Sequence, residues 1–313
     1  MSEMKIIAPA VHGWRGELVI PGDKSMSHRS VMLAGLGRTP VHIQNFLHAA
    51  DCLSTVGVMR ALGVRVEFPA DGELVVTGCG LHGLSEPASV LDAGNSGTTL
   101  RLMMGLLAPQ PFFSTFTGDA SLSRRPMGRV LLPLGQMGAR IYGRNDNNNL
   151  PLSIVPAGKK LCGISYDSPV ASAQVKSAIL LAGLYADAPT AVTEPFVSRD
   201  HTERMLAGFG VRVEREGCTA RVYPVTREED YIAPKEITVP GDISSAAYFL
   251  VGGSIIKGSR LLLKNVGINP MRTGILDVLA QMGAHIAVKN ERTSGGEALA
   301  DISVETAELH GVR

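Results

Sequence analysis

The stretch from Pro21 to Arg29 has the residue types and spacing best suited to chemistry in this chain, and it reads Pro-Gly-Asp-Lys-Ser-Met-Ser-His-Arg. It brings Lys24, Ser25 and Arg29 together just after the strand-like segment Leu18 to Ile20. An ammonium and a guanidinium beside a helix start, where backbone N–H groups are unpaired, are suited to hold an anion. We therefore expect an anion site here, with Lys24 projecting from the turn and Arg29 from the helix.

A second basic stretch, Ser123-Arg124-Arg125-Pro126, places Arg125 directly before a proline that can open a helix at its first position. The guanidinium group can bind a carboxylate or a phosphate through two parallel hydrogen bonds. The local sequence fits a solvated surface turn equally well, so Arg125 is a candidate anion ligand that needs a partner site.

Small polar residues precede four apolar segments of helical character, a pattern typical of helix N-caps. The four clusters are Lys24 to Arg29, Gly94 to Thr99, Ser172 to Gln174 and Asp242 to Ser245. Because a helix N-terminus carries unpaired N–H groups and partial positive charge, several of them aimed at one cleft would bind an anion strongly. Cations accompany the first three clusters (Arg101 the second, Lys176 the third), whereas the fourth fits a simple cap.

The chain also repeats a helix-end pattern, in which an apolar helical segment is followed by glycine and then by an alternating strand. Gly63, Gly138, Gly210 and Gly283 mark the four copies, at intervals of about 73 residues. Each glycine is expected to take a left-handed conformation at the end of a helix. Combined with the N-cap clusters, one repeat is strand, buried helix, strand, helix, glycine, strand, which predicts an α/β fold.

The composition excludes several classes of protein. With 313 residues and a net charge of +1, the chain is long enough for two domains and has no basic field for nucleic acid or anionic membrane. The segment Met1 to Trp14 does not resemble a signal peptide, and the longest apolar stretch, Ala246 to Ile256, is too short to span a membrane. Four scattered cysteines without a CxxC pair indicate reduced thiols, a cytoplasmic location and no metal site.

Gly78 to Gly83 spells G-x-G-x-x-G, but Pro87 breaks the helix that a dinucleotide site requires.

Six stretches together carry a resemblance to one enzyme family, and they occur in that family's order across nearly the whole chain. They are PGDKSMSHR from Pro21, LDAGNSGTTLRL from Leu91, GDASLSRRP from Gly118, SPVASAQVKSAILLAGL from Ser168, EPFVSRDHTERM from Glu194 and PGDISSAAYF from Pro240. The chain resembles the 5-enolpyruvylshikimate-3-phosphate synthases, also called 3-phosphoshikimate 1-carboxyvinyltransferases. The rival UDP-N-acetylglucosamine enolpyruvyl transferases carry an asparagine where Ser25 stands and commonly a cysteine near Arg125, and this chain has neither.

The resemblance implies an inside-out α/β barrel, with two domains of three βαβαββ units each, of which this chain would hold four. We expect residues 21–240 to form a three-repeat domain that carries most of the shikimate 3-phosphate site. Residues 1–20 plus 241–313 would form an incomplete second domain of one repeat and an N-terminal strand. The inner helix of that repeat, Ala246 to Ile256, should then show an exposed apolar face.

The resemblance also implies a reaction, namely transfer of the enolpyruvyl group from phosphoenolpyruvate to the 5-hydroxyl of shikimate 3-phosphate, with release of phosphate. This step belongs to chorismate and aromatic amino acid biosynthesis, and it needs no metal or organic cofactor. Lys24 would touch both substrates and serve in proton transfer. The residues implied for shikimate 3-phosphate are Lys24, Ser25, Arg29, Ser172, Ala173, Gln174 and Ser198. Those implied for phosphoenolpyruvate are Lys24, Gly97, Arg125 and Gln174.

Two departures from the family pattern limit this transfer of roles. Some relatives carry serine in place of Ala173 and tyrosine in place of His201, which leaves the role of His201 open.

The family's acid–base carboxylates lie in C-terminal segments that have no counterpart here, so we expect this chain to be a truncated and inactive form of a monomeric enzyme. A non-catalytic anion-binding protein is therefore an alternative, and phosphate-ester binding without turnover would distinguish it.

Overall fold

Residues 12–312, which the computed structural model describes, contain four consecutive β-α-β-α-β-β units. The first comprises β1 (Arg15–Val19), α1 (Lys24–Gly35), β2 (Val41–Gln44), α2 (Ala50–Ala61), β3 (Arg65–Ala70) and β4 (Glu73–Thr77). The second comprises β5 (Leu91–Asp92), α3 (Gly97–Leu107), β6 (Ser114–Thr117), α4 (Gly128–Gln136), β7 (Arg140–Gly143), the short turn α5 (Arg144–Asn147) and β8 (Asn149–Val155). The third comprises β9 (Ser165–Asp167), α6 (Ala173–Gly183), β10 (Thr190–Thr193), α7 (His201–Gly208), β11 (Val213–Glu216) and β12 (Thr219–Val222). The fourth comprises β13 (Glu236–Thr238), α8 (Ile243–Ile255), β14 (Arg260–Gly267), α9 (Gly274–Gln281), β15 (His285–Ser294) and β16 (Glu297–Glu305).

Each unit corresponds to a four-stranded sheet, and the first and fourth units exchange their first strands. The second and third units form sheets of order β5-β6-β8-β7 and β9-β10-β12-β11. Strand β13 pairs in parallel with β2, with Ile237 opposite Ile43, so one sheet runs β13-β2-β4-β3. Strand β1 instead pairs in parallel with β14, with Leu18 opposite Leu263, in the sheet β1-β14-β16-β15. The mixed α/β class predicted from the sequence is confirmed.

The glycine repeat ends the second helix of every unit as predicted. Gly63, Gly138, Gly210 and Gly283 have φ of 97°, 97°, 81° and 87°, in the left-handed region that favours glycine. They follow α2, α4, α7 and α9, and a strand begins within a few residues of each. The left-handed turn therefore reverses the chain from helix into strand at the same point of all four units.

The predicted N-caps also form, and they fix where the first helix of each unit begins. Asp23, Ser96, Ser172 and Asp242 each accept a hydrogen bond from a backbone N–H two or three residues further on. Lys24 is the first residue of α1 and does not project from the preceding turn as expected. The expected helix start at Pro126 is wrong by two residues, because a 3₁₀ turn at Leu122–Arg124 precedes it and α4 begins at Gly128.

The described residues divide into a large compact unit, residues 22–239 with 293–297, and a small one, residues 12–21, 240–292 and 298–312. The turn of the β15–β16 hairpin thus groups with the large unit, and residues 1–11 of the expected N-terminal strand lie outside the described residues. Helices α3 and α6 pack directly against each other in the large unit, and almost every residue of both is buried. This contact fixes the relative position of two of the capped helix starts.

Helix α8 has one buried and one exposed apolar face in the small unit. Ala246 and Leu250 are fully buried, whereas Tyr248 is 80% and Ile255 62% exposed. The expectation that this helix shows an exposed apolar face is confirmed. No helix within residues 12–312 has both the length and the apolar character needed to cross a membrane.

Candidate active site

The first turns of α1, α3 and α6 line a single cleft in the large unit, with a cavity volume of about 470 Å³. The first two residues of each helix contribute, and they are Lys24, Ser25, Gly97, Thr98, Ala173 and Gln174. Because the first N–H groups of a helix have no partner within it, three such starts direct donors and partial positive charge at one space. The structure thus brings together three of the four predicted helix N-termini. The fourth, at Asp242, belongs to the small unit.

Side-chain charge in the cleft has the same sign as the helix N-termini. Five cations line it, and they are Lys24, Arg29, Arg101, Arg125 and Arg199. One carboxylate, that of Asp51 on α2, also lines the cleft and accepts a hydrogen bond from Lys24 Nζ at 2.8 Å. The cleft is therefore strongly cationic although the whole chain carries a net charge of only +1. This arrangement suits a ligand with more than one negative charge.

Arg29 is a buried cation held in a fixed orientation. Its Nε donates to Thr202 Oγ1 at 2.7 Å, and its two terminal nitrogens donate to Ser177 Oγ at 2.8 Å and Ser25 O at 3.0 Å. Burial lowers the pKa of this guanidinium to about 10, so it stays protonated at neutral pH. Within residues 12–312, no carboxylate lies within ion-pair distance of Arg29, and two of its five N–H donors remain for a ligand.

Gln174 is oriented by two residues of α3. Its Nε2 donates to Thr98 Oγ1 at 2.9 Å, and its Oε1 accepts from Arg101 Nη1 at 2.8 Å. Gly97 permits this arrangement, since a Cβ there would lie 2.7 Å from Arg101 Nη1 and 3.4 Å from Arg125 Nη1. Burial, followed by repulsion from Arg125, lowers the pKa of Arg101. The glycine therefore lets two guanidinium groups approach the start of α3.

Arg125 lies at the rim of the cleft and is held by Asn95 and Ser121. Its Nη2 donates to Asn95 Oδ1 and, at 3.2 Å, to Ser121 Oγ. Asn95 in turn donates to Asp119 Oδ2 at 2.6 Å. The basic segment before Pro126 is therefore a positioned part of the cleft, and the interpretation as a solvated surface turn is wrong.

Ser172 and Ser198 are not in the lining of the cleft, but a single carboxylate connects them just behind it. Glu194 Oε1 accepts from the Ser172 backbone N–H at 2.7 Å, and its Oε2 accepts from Ser198 Oγ at 2.7 Å. Lys176 lies 2.9 Å from Glu194 and 2.7 Å from Glu203, with all three side chains almost completely buried. Lys176, the cation next to the third cap, does not line the cleft, because its ammonium points into this pair of carboxylates.

The charges of this buried cluster are set by competition between desolvation and pairing. Burial works against ionisation of Glu194, but hydrogen bonds from Ser198 and Lys176 outweigh it and lower the pKa of Glu194. Burial dominates for Glu203, whose pKa is raised although Lys176 opposes the shift. The two carboxylates in turn raise the pKa of Lys176 despite its burial. Lys176 and Glu194 are therefore both charged at neutral pH.

Several cleft residues were not selected by sequence reasoning. Asp51 and Arg199 carried no signal beyond their neighbours, and Asn95 and Thr98 lay within a recognised motif without an assigned role. His201 also lines the cleft, and its Nδ1 is 2.7 Å from Glu297 Oε1. Its Nε2 is buried and has no hydrogen-bond partner among the described residues.

A chain of buried hydroxyl groups connects the first helix to the cap of α3. His28 Nδ1 is 2.7 Å from Thr55 Oγ1, Thr55 Oγ1 is 2.7 Å from Thr99 Oγ1, and Thr99 donates to Ser96 Oγ at 2.7 Å. Burial, reinforced by the neighbouring Arg29, lowers the pKa of His28 from 6.5 to about 3. His28 is therefore neutral in the folded protein and positions the two helix starts through hydrogen bonds.

Replacing His28 should reduce the sensitivity of this protein to acid. The unfolded chain binds a proton at His28 near pH 6.5 and the folded chain near pH 3, so stability is complete above pH 6.5 and falls as the pH drops between those values. At pH 5 this residue alone should cost about 2 kcal/mol of unfolding free energy. In urea titrations at pH 7 and pH 5, His28→Gln should lose about 2 kcal/mol less than the unchanged chain. Equal losses would show that His28 does not contribute.

Within residues 12–312, no three His, Cys, Asp or Glu side chains are grouped closely enough to hold a metal ion. The four cysteines are unpaired, and burial, reinforced by Asp51, raises the pKa of Cys52 beside the cleft to about 12. This thiol is therefore a poor nucleophile at neutral pH.

The chain matches one protein family and several curated proteins. A family profile described as EPSP synthase (3-phosphoshikimate 1-carboxyvinyltransferase) matches residues 10–310. The chain belongs to the EPSP synthase family. It is 56% identical over 305 residues to a 3-phosphoshikimate 1-carboxyvinyltransferase of Desulforudis audaxviator, covering 97% of this chain and 70% of that protein. It is 53% identical over 308 residues to the enzyme of that name from Bacillus thuringiensis, covering 98% of this chain and 70% of that protein.

A solved structure of an EPSP synthase supports the same assignment. The enzyme from Acinetobacter baumannii superposes with a TM-score of 0.93 at 47% sequence identity, covering 97% of this chain and 68% of that one. The four-unit architecture described above is thus that of EPSP synthase over the matched region. The chain spans about 70% of the length of the curated relatives that it matches.

Proposed function

We propose that this chain provides the substrate site for transfer of an enolpyruvyl group from phosphoenolpyruvate to the 5-hydroxyl of shikimate 3-phosphate, with release of phosphate. The expectation that the chain by itself is inactive stays a prediction. The cleft at the starts of α1, α3 and α6 is the substrate site in this proposal. The observation that carries it is the convergence of three helix N-termini and five cations on a space lined by one carboxylate. Two phosphate esters and two carboxylates, one of each from either substrate, must be held close together in this reaction, and such a concentration of positive charge supplies the counter-charge.

The individual roles follow from the position of each group. Arg29, with Ser25 on the same helix, is placed to bind shikimate 3-phosphate, and Arg125 with the start of α3 at Gly97 is placed to bind phosphoenolpyruvate. In this proposal Ala173 in the lining, with Ser172 and Ser198 just behind it, completes the site for the phosphate of shikimate 3-phosphate. Lys24 and Gln174 lie on different helices of the same cleft, so both are available to either substrate. Lys24 also faces Asp51, which holds its ammonium in the cleft until a substrate anion takes over the contact.

The large unit carries most of the shikimate 3-phosphate site, and the small unit belongs to a second domain. We also propose a monomeric, cytoplasmic protein without a metal or organic cofactor, which fits its unpaired cysteines.

Calorimetry with each substrate, alongside an assay of phosphate release from phosphoenolpyruvate, tests this function. We expect shikimate 3-phosphate to bind and shikimate, which lacks the phosphate, to bind much more weakly. No binding of either substrate would overturn the proposal. Binding without any release of phosphate would instead favour the anion-binding alternative for this chain.

A further inference from the structure

Glu194 joins the two segments that carry Ser172 and Ser198. It follows β10 directly, and its side chain is 1% exposed. One oxygen accepts the Ser172 N–H at the start of α6, while the other accepts the Ser198 hydroxyl at 2.7 Å and the Ser198 N–H at 3.3 Å. The two serines are 26 positions apart in the sequence, and this carboxylate sets the spacing between them.

A bare carboxylate behind a phosphate site would repel the phosphate, and Lys176 removes that penalty. Its ammonium is 2.9 Å from Glu194 Oε2, and it also donates to the Ser198 carbonyl at 3.4 Å. Glu203 Oε1 accepts a second hydrogen bond from the ammonium at 2.7 Å, which fixes its position. The buried pair of Lys176 and Glu194 is therefore neutral as a unit while it keeps two strong acceptors directed at the serines.

We propose that Glu194 is a positioning residue for the phosphate group of shikimate 3-phosphate, acting through Ser172 and Ser198. This inference rests on the proposed function. The Ser198 hydroxyl has one proton, which it donates to Glu194 in this structure. A phosphate dianion offers acceptors alone, so the hydroxyl turns toward the phosphate on binding. Glu194 Oε2 then keeps its contacts with Lys176 and the Ser198 N–H, so the carboxylate stays satisfied and both serines stay in place.

The amide of glutamine cannot reproduce this arrangement. Four donors meet the two oxygens of Glu194, namely the backbone N–H groups of Ser172 and Ser198, the Ser198 hydroxyl and the Lys176 ammonium. Three of them remain after the hydroxyl turns. A glutamine offers one oxygen, and its NH₂ group would face donors on the other side. One of the two serine segments would therefore be released, and Lys176 would lose the partner that neutralises it.

The test compares two ligands that differ by the phosphate alone. The dissociation constants of shikimate 3-phosphate and shikimate are measured by calorimetry for the unchanged chain and for Glu194→Gln. We expect Glu194→Gln to reduce the ratio of the two affinities by about tenfold or more, mainly by weakening the phosphorylated ligand. A residue that merely supported the fold would weaken both ligands alike.

Two carboxylates serve as controls in the same comparison. Glu214→Gln removes an exposed carboxylate of the large unit that contacts Arg212, and the affinity ratio should not change. Glu203→Gln alters a buried carboxylate that touches Lys176 and neither serine, so its effect on the ratio should be much smaller than that of Glu194→Gln. An unchanged ratio in Glu194→Gln, or an equal loss in Glu203→Gln, would overturn the inference.

If Glu194→Gln does not fold, a crystal structure of the unchanged chain with shikimate 3-phosphate decides the question. The phosphate should lie within hydrogen-bond distance of Ser198 Oγ and the Ser172 hydroxyl, with Glu194 still accepting the Ser172 N–H. A phosphate bound away from these serines would refute the role of Glu194. Failure of the unchanged chain to bind shikimate 3-phosphate at all would instead count against the proposed function.

Discussion

Arg29→Met should weaken the binding of shikimate 3-phosphate by about a hundredfold or more. Arg29 is 5% exposed and its guanidinium is held by three hydrogen bonds, so the cost of its desolvation and orientation is met during folding. An anion that enters the cleft therefore meets an ordered cation with two remaining donors and no competing carboxylate from the described residues. Methionine fills a similar volume but supplies neither charge nor donors.

Two further variants make this result specific. Arg29→Lys keeps the charge and loses the planar fork of donors, so its affinity should fall between those of Arg29→Met and the unchanged chain. Arg221→Ala removes an exposed arginine on β12 that contacts Glu214, and it should leave the affinity unchanged. Affinities come from calorimetry, and melting temperatures show that each variant is folded. Binding by Arg29→Met that stays within a few-fold of normal would remove Arg29 from the site.

The features that the sequence predicted well are those set by neighbouring residues. The caps at Asp23, Ser96 and Ser172 and the left-handed glycines depend on backbone preferences that act over a few positions, so each copy could be recognised by itself. Repetition of the pattern then indicated that the capped helices are equivalent. Their convergence on one cleft followed from this equivalence and from the cations near each cap.

The contacts that the sequence did not predict join distant segments. Nothing near Glu194 indicates that it reaches both Ser172 and Ser198, and Asp51 is 27 positions from the Lys24 ammonium that it holds. The direction of Lys176 could not be predicted for a related reason. Each residue rotates a helix by about 100°, so the cations at different positions of the first turns leave their helices in different directions. Lys176, the fourth residue of α6, is directed at the buried carboxylates, whereas Lys24, the first residue of α1, lines the cleft.

The exchange of first strands between the first and fourth units is another long-range feature. Strand β1 pairs with β14 and β13 with β2, although each exchanged strand has the sequence pattern of its own unit. Local alternation predicts that a strand exists but carries no information about which edge it joins. The resemblance to a known family, and not the local pattern, predicted that the N-terminal strand joins residues 241–313.

Gly105→Ala should lower the free energy of unfolding by about 3 kcal/mol, because α3 and α6 touch through their backbones at this point. A Cβ on Gly105 would lie 2.2 Å from the carbonyl oxygen of Ala178 and 2.8 Å from its carbonyl carbon, and a backbone cannot give way as a flexible side chain can. The helices would have to separate. Since their first turns carry Gly97 and Gln174, separation should also weaken the binding of shikimate 3-phosphate.

Gly57→Ala is the matched control for this prediction. Gly57 lies in the middle of α2, is exposed, and has no atom within 4 Å of the position that a Cβ would take. Alanine there should raise the free energy of unfolding by about 0.5–1 kcal/mol, because a helical glycine loses more backbone entropy on folding. Urea titrations of both variants measure the opposite signs. If Gly105→Ala were as stable as Gly57→Ala, the close approach of α3 and α6 would not be what holds the two helix starts at the cleft.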